Sequence, residues 1–401
     1  MSRENLYARA AAKEADIARE IEEICHYVYA HAELGGKEYE SSKYLARLME
    51  KHGFQVRYPL GTQDTAFRAD YGQGSGPLVC FLAEYDALPG YGPEKKPGHA
   101  CGHNWIAAHC CGTALVLKEL ADELNCRVCV VGAPAEETYG GKVIAAREGF
   151  YDDVDAAIQF HPSDRTSLMN NMLAINSYKF TFHGKAAHAA AHPWDGVNAL
   201  DAVIGTFVGI NALRQHLRPD ARIHGIVTEG GQAPNIIPDR ASCYFFVRAR
   251  RRAYLDEVCE KVNAIAQAAA KMAGARLETT SPDLPFDNFL EAPAMTKLAK
   301  KHLDALDIPI WQDAERASGS SDVGNVSYIC PCLLMGAEIS ENGVGFSAHE
   351  EATLPMADSE AACAALHRFA NAAARIAIDI WLEPDLLKQM KAEVAAGRDQ
   401  R

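Results

Sequence analysis

The sequence predicts an α/β protein: a mostly parallel sheet flanked by helices, interrupted by a smaller α+β domain of ferredoxin-like topology. Three observations lead there. Short continuous apolar runs, Leu78–Leu82, Val128–Val131 and Ala156–Phe160, alternate with helical patterns, as doubly buried parallel strands do. After about Met172 the rhythm changes to strands of alternating polarity, as in a sheet with one open face. At 401 residues the chain exceeds one ordinary core, so two domains are expected.

Taken in order, residues 5–50 read as two helices. Ile17, Ile21, Ile24 and Val28 recur at helical spacing, and Tyr44, Leu45, Leu48 and Met49 do so after Gly35-Gly36. A strand-and-turn stretch leads to the run ending at Leu82. Residues 105–124 form an apolar helix, and a shorter one spans 140–149. Ser177–Phe182 alternates like a half-exposed strand, Val197–Leu217 is a helix, and Arg222–Thr228 and Ala241–Arg248 are further alternating strands. A helix over Tyr254–Met272 and a strand over Arg276–Thr280 complete a β-α-β-β-α-β order, the split βαβ arrangement. The α/β pattern resumes with a helix at Pro293–Leu306, a strand at Ile329–Met335 and a long final helix at Ser359–Leu382. Residues 1–172 and 286–401 are therefore expected to form one discontinuous domain, with 173–285 inserted and hinges near 173 and 285.

Bulk properties narrow the function. A net charge of −13 argues against nonspecific nucleic-acid binding, which needs a basic surface. No apolar stretch is long enough to span a membrane, and the N-terminus carries no signal-peptide core. The 12 cysteines are scattered through apolar strands and helices, which favours reduced buried thiols and a cytoplasmic location.

Chemistry-bearing residues cluster directly after the apolar runs. Glu84-Tyr85-Asp86 and His99-Ala100-Cys101-Gly102-His103 follow the first, Glu136-Glu137 the second and His161-Pro162 the third. In open α/β sheets, ligands bind beyond the carboxyl ends of the strands. Thiolate, imidazole and carboxylate brought to that edge suit zinc, and the carboxylates beside imidazole also admit manganese. Gly102 lets the backbone bend so that Cys101 and His103 point at one centre. His99 and Asp86 can stand behind the ligands as orienting partners. Two adjacent glutamates are costly to bury without a cation; one of Glu136 and Glu137 can coordinate it while the other takes a proton from water that the ion acidifies. His349, in a polar loop after the last strand, can close the site. Each feature also has a plainer account. Cys-x-His can be a buried thiol beside a bonded histidine, and Glu136-Glu137 a carboxylate pair at a helix N-terminus. His161 alone would be structural.

The motifs resemble those of the metallopeptidase and amidohydrolase family that includes aminoacylases, auxin-conjugate hydrolases and p-aminobenzoyl-glutamate hydrolase. The resemblance is carried by Ala83–Pro89, Gly98–Asn104, Pro134–Glu137, Phe160–Pro162, Gly184–His188, Asn235–Pro238, Val247-Arg248, Ser320–Val326 and the His349 loop. It spans nearly the whole chain in order. Asn104 and the Glu84-Tyr85-Asp86 spelling place the likeness nearest the branch with p-aminobenzoyl-glutamate hydrolase and related dipeptidases. The resemblance implies two divalent ions held by Cys101, His103, Glu137, His161 and His349, with Cys101 bridging and Glu136 as general base. It further implies that residues 173–285 are a lid and dimerisation domain of a homodimer. His188 would then polarise the scissile carbonyl from the partner subunit, and Asn235 and Arg248 would hold substrate polar groups. Without the resemblance, His183, His188 and His192 read as turn or surface histidines, and Arg248–Arg252 as a solvated charged end.

The expected activity is metal-dependent hydrolysis of an amide joining an acyl or aroyl group to an amino acid, dipeptides included. Two alternatives share the fold. One is hydrolytic deamination of an aromatic amino acid or arylamine at the same site, which would release ammonia. The other is a catalytically silent binding protein.

Overall fold

The computed structural model describes residues 2–311, 319–340 and 344–398. They divide into two compact units. The larger takes 2–170, 289–311 and 322–398, and the smaller takes Asn171–Asn288 with residues 319–321.

The chain begins with three helices, α1 (Arg3–Asp16), α2 (Ala18–Ala30) and α3 (Tyr39–Lys51). The sequence pattern predicts two. The helical periodicity runs unbroken through Ile17, but that residue takes φ −103°, ψ 11° and separates α1 from α2. Strands β1 (Gln55–Arg57), β2 (Phe67–Tyr71) and β3 (Leu78–Ala83) follow, then α4 (His103–Ala121), β4 (Arg127–Gly132), α5 (Gly141–Arg147), β5 (Ala156–Ser163) and the short β6 (Ser167–Leu168). Nearly every residue of α4 is buried, as expected of a helix apolar on all sides. It starts at His103 rather than 105, so that histidine stands on the first turn.

The smaller unit comprises β7 (Ala174–His183), α6 (Ala199–Arg214), β8 (Arg222–Glu229), β9 (Arg240–Ala249), α7 (Arg252–Ala273) and β10 (Arg276–Thr280). Its sheet runs β10-β7-β9-β8 with every pair antiparallel. Phe180, Phe182, Phe245 and Val247 pack with Leu255, Val258 and Val262 of α7 in a core separate from that of the larger unit. Alternation along β9 buries Cys243, Phe245 and Val247 and leaves Tyr244, Phe246 and Arg248 partly exposed on the other face.

The larger unit resumes with α8 (Pro293–Asp304), α9 (Val323–Ser327), β11 (Cys332–Glu338), α10 (Thr353–Ala357), α11 (Glu360–Leu382) and α12 (Pro384–Arg398). Two expectations shift here. Strand β11 begins at Cys332, not 329, because α9 and the turn after it occupy the residues before Pro331. The chain also continues past α11 into α12, which starts afresh on Pro384, a residue suited to the first turn of a helix.

The large sheet has the order β1-β2-β4-β3-β5-β11-β6. Its centre, β4-β3-β5-β11, is parallel. The flanks β1, β2 and β6 are antiparallel. The carboxyl ends of β3, β4 and β5 therefore lie side by side. Phe67 of β2 stands opposite Gly132, the last residue of β4, and a Cβ built there would fall 2.1 Å from the Phe67 ring. The ring is fully buried and has nowhere to withdraw. Gly132→Ala is expected to destabilise the protein by about 1–3 kcal/mol in urea unfolding; unchanged stability would show that the ring can yield.

Candidate metal centre

The turn after β3 carries Glu84 and Asp86, each 1% exposed. Asp86 ties two segments together. Its Oδ1 lies 2.7 Å from Nδ1 of His103, and its Oδ2 accepts the backbone N–H of Glu137 at 3.0 Å. A carboxylate in that place puts the imidazole proton on Nδ1 and leaves a lone pair on Nε2. That Nε2 is buried and has no hydrogen-bond partner.

Cys101 and His103 are separated by Gly102 at φ 70°, where a Cβ would strike Pro162 at 2.5 Å. Only glycine gives this bend and this close approach. Cys101 Sγ stands 3.5 Å from Nε2 of His161, whose Nδ1 is bonded to the Pro162 carbonyl at 2.8 Å. Glu137 Oε1 lies 3.0 Å from Nε2 of His349 and 3.8 Å from Nε2 of His103. His349, itself at φ 69°, is anchored by its N–H to the Ala100 carbonyl at 2.9 Å, and its own carbonyl accepts from Tyr91 Oη at 2.6 Å. The donor atoms of Cys101, His103 and His161 all lie within 4.8 Å of one another, as do those of Cys101, Glu137 and His349, and of His103, Glu136 and Glu137.

The donor set fits divalent cations. Burial, then the nearby carboxylates Glu84, Glu137 and Asp322, push the Glu136 carboxyl well above its ordinary range. Burial and the neighbouring Glu137 likewise push the Cys101 thiol up. Burial also raises Glu137, but the hydrogen bond with His349 and then the neighbouring His103 outweigh it and hold that carboxyl low. Thiol, imidazole nitrogens and carboxylates facing one another in a dry space repel as bases and attract as ligands. The buried, unpartnered Nε2 of His103 has the same need.

His99 is not in this group. It is fully buried, its Nε2 donates to the Val28 carbonyl at 3.0 Å, and burial lowers it to about 3, so it is a neutral packing residue. Asn104 donates to the Ala357 carbonyl at 2.8 Å and ties α4 to α10.

Three candidates belong to the smaller unit. His188 is exposed and its Nδ1 accepts the N–H groups of Ala190 at 3.2 Å and Ala191 at 3.1 Å, which places the ring proton on Nε2 as an outward donor. Asn235 lies on the adjoining strip, its carbonyl accepting the Ala189 N–H at 3.0 Å. Arg248 reaches Ser320 Oγ at 3.4 Å and lies 5.9 Å from the Phe246 ring centroid.

Two buried charges are not anticipated by the sequence motifs. Glu38, at the start of α3, accepts the Ala135 N–H at 2.8 Å on Oε1 and the Thr65 hydroxyl at 2.8 Å on Oε2. Ala135 sits at φ 59°, so this bond holds the left-handed turn that delivers Glu136 and Glu137. Lys142 of α5 is fully buried and paired with Glu84 and Asp322. Its signal was available: a lone cation among Gly140, Gly141, Val143 and Ile144, just after two glutamates.

Asp86→Asn is expected to weaken divalent-ion binding about 10–100-fold in calorimetric titration, because the ring of His103 loses its orienting anion; full affinity would remove that role. Burial, then the charge of Asp86, pushes the Glu38 carboxyl up to about 7. The fold thus favours the neutral form, a contribution complete below the ordinary carboxylate range and lost as pH rises through about 7. Glu38→Gln cannot ionise. Melting curves at about pH 5 and about pH 8 are expected to show wild type losing stability that the variant keeps; equal slopes would contradict the assignment.

Comparison with known proteins agrees with this architecture. The dimerisation domain of M20 peptidases matches residues 174–273. The Xaa-Arg dipeptidase of Mus musculus is 32% identical over 407 residues, covering 97% of this chain and 92% of that protein. A p-aminobenzoyl-glutamate hydrolase polypeptide of Escherichia coli K12 is 32% identical over 310 residues, 74% of this chain and 64% of its own length. A crystal structure of a dinuclear metal-binding M20 peptidase from Bacillus subtilis superposes with a TM-score of 0.64 at 22% identity, covering 92% of this chain and 98% of that one. The resemblance read from the motifs therefore holds, and the chain belongs to the M20 family of metal-dependent hydrolases that act on amide C–N bonds.

Proposed function

We propose that the chain hydrolyses the amide bond joining an aminoacyl, acyl or aroyl group to the amino group of an amino acid, with dipeptides ending in arginine as the first substrates to test. The observation that carries this reading is the convergence of Cys101, His103, Glu137, His161 and His349 beside Glu136 at adjacent strand ends. The preference for dipeptides rests on the Xaa-Arg dipeptidase, which matches along almost the whole chain.

Cys101, His103, Glu137, His161 and His349 would hold two divalent ions, manganese or zinc, with Cys101 shared between them. Bound there, such ions supply Lewis acidity and lower the pKa of water to a range accessible at neutral pH. Asp86 keeps the His103 ring in one tautomer and orientation. Glu136 takes the proton of the attacking water and returns it to the leaving nitrogen, so that an amine departs rather than an amide anion.

The smaller unit is assigned the lid and dimerisation roles. His188, its proton fixed on Nε2, donates to the developing oxyanion from a second copy of the chain. Asn235 and Arg248 hold polar groups of the substrate, Arg248 through the planar fork that matches a carboxylate. All 12 cysteines are buried and free, which supports a reducing compartment such as the cytoplasm. Among the described residues no helix is long and apolar enough to cross a membrane.

The test is turnover with product identification. A panel of Xaa-Arg dipeptides, aroyl-glutamates and acyl-amino acids is expected to yield amine and acid without ammonia. Chelation is expected to abolish turnover, and manganese or zinc to restore it. Glu136→Gln is expected to lower kcat by a factor of about 100 or more with ion content unchanged. Full activity in that variant, or ammonia as the product, would reject the mechanism.

A further inference from the structure

Glu84 stands at the same strand end as Asp86, yet the roles given above leave it out. Its Oε1 accepts from Lys142 Nζ and, at 2.9 Å, from Gln159 Nε2. Its Oε2 is buried, has no hydrogen-bond partner and lies 3.4 Å from Nε2 of His103. The His103 proton is on Nδ1, held by Asp86. Nε2 and Oε2 therefore face one another in a dry interior without a hydrogen bond, an arrangement that calls for positive charge between them, either a second ring proton or a bound cation. Two ligand atoms each about 2.1 Å from one ion, at the tetrahedral angle, stand about 3.4 Å apart.

Lys142 does not meet this need. Its ammonium reaches Oε1, not Oε2, and lies 2.6 Å from Oδ1 of Asp322, while Oδ2 of Asp322 accepts the Lys142 backbone N–H at 2.9 Å. Glu84, Glu136 and Asp322 also come within 4.8 Å of one another, but that acidic group already contains the lysine as its counter-ion. What stays open is the single oxygen aimed at His103.

We propose that Glu84 is a further metal ligand, giving Oε2 to the ion bound by His103, while Lys142 and Asp322 clamp its other oxygen. The inference rests on the metal-centre reading above and adds a donor to it. It would give the ion at His103 and His161 an anionic oxygen donor, as Glu137 would give one to the ion at His349.

The test is ion binding, measured with zinc or manganese alone by elemental analysis after dialysis and by chelator competition. Wild type is expected to hold two ions per chain. Glu84→Gln is expected to lose at least tenfold in affinity for one of them and to keep the other. Glu84→Asp, which retains the charge but withdraws the oxygen, is expected to do the same and carries the test should Glu84→Gln not fold. The double variant Glu84→Gln with Lys142→Met separates ligation from charge balance. As a ligand, Glu84 cannot be replaced by removing its partner, so the double variant stays weak; recovery of wild-type affinity would overturn the proposal. The visible absorption of the cobalt(II)-loaded protein is expected to change between wild type and Glu84→Gln, because the donor set changes. In a crystal structure of the manganese-loaded wild type, a Glu84 oxygen within about 2.5 Å of an ion supports the proposal, and one beyond hydrogen-bonding reach overturns it. Two tightly held ions in every variant reject Glu84 alone, whereas no bound ion in wild type rejects the metal centre with it.

Discussion

The carboxylate of Asp86 is the constraint on which the site depends. One oxygen orients His103 at the start of α4, and the other holds the backbone of Glu137 beyond β4. A single buried anion thus sets the distance between two strand-end segments and decides which imidazole nitrogen stays free. The parallel register of β3, β4 and β5 makes this possible, because it brings the three carboxyl ends side by side before any side chain is chosen.

Around this anchor the charges are arranged by desolvation. Glu84, Asp86, Glu136, Glu137 and Asp322 crowd into one region with Lys142 as their buried ammonium. Burying carboxylates costs several kcal/mol apiece unless each meets a cation or strong donors. Lys142 serves Glu84 and Asp322, and backbone and imidazole N–H groups serve Asp86. Glu137 meets the His349 imidazole, and Glu136 depends on what the donor cluster binds.

Much of this was legible in the sequence, and the reasons differ between elements. The strand ends were visible because doubly buried strands leave continuous apolar runs, so a charge straight after one marks the sheet edge. The β-α-β-β-α-β order of the smaller unit was visible because its open-faced strands alternate. The break at Ile17 was hidden, since one residue with altered ψ does not disturb an apolar stripe. Helix α12 was hidden because the proline that opens it reads as a stop as readily as a start. Glu38 was hidden because a lone charge in a polar segment gives no sign that tertiary packing will close over it, whereas Lys142 stood out as a lone cation among glycines and apolar residues just after two glutamates. Asp86 was recognised only as a partner to a ligand; its second bond, to the Glu137 backbone, is a product of strand register and could not be read from spacing.

The placement of His349 has a kinetic consequence. Its side chain is half exposed, while those of His103 and Glu137 lie deep or nearly so. On the proposed assignment it is the outermost tooth of the chelate, the first to release an ion and the last to grip one. Its backbone is pinned on both sides, by Ala100 and by Tyr91, so its detachment requires a rotation about χ1 rather than a swing of the whole loop. Exchange of bound ions with solvent would then be governed by one imidazole at the rim, leaving the deeper donors assembled between occupants.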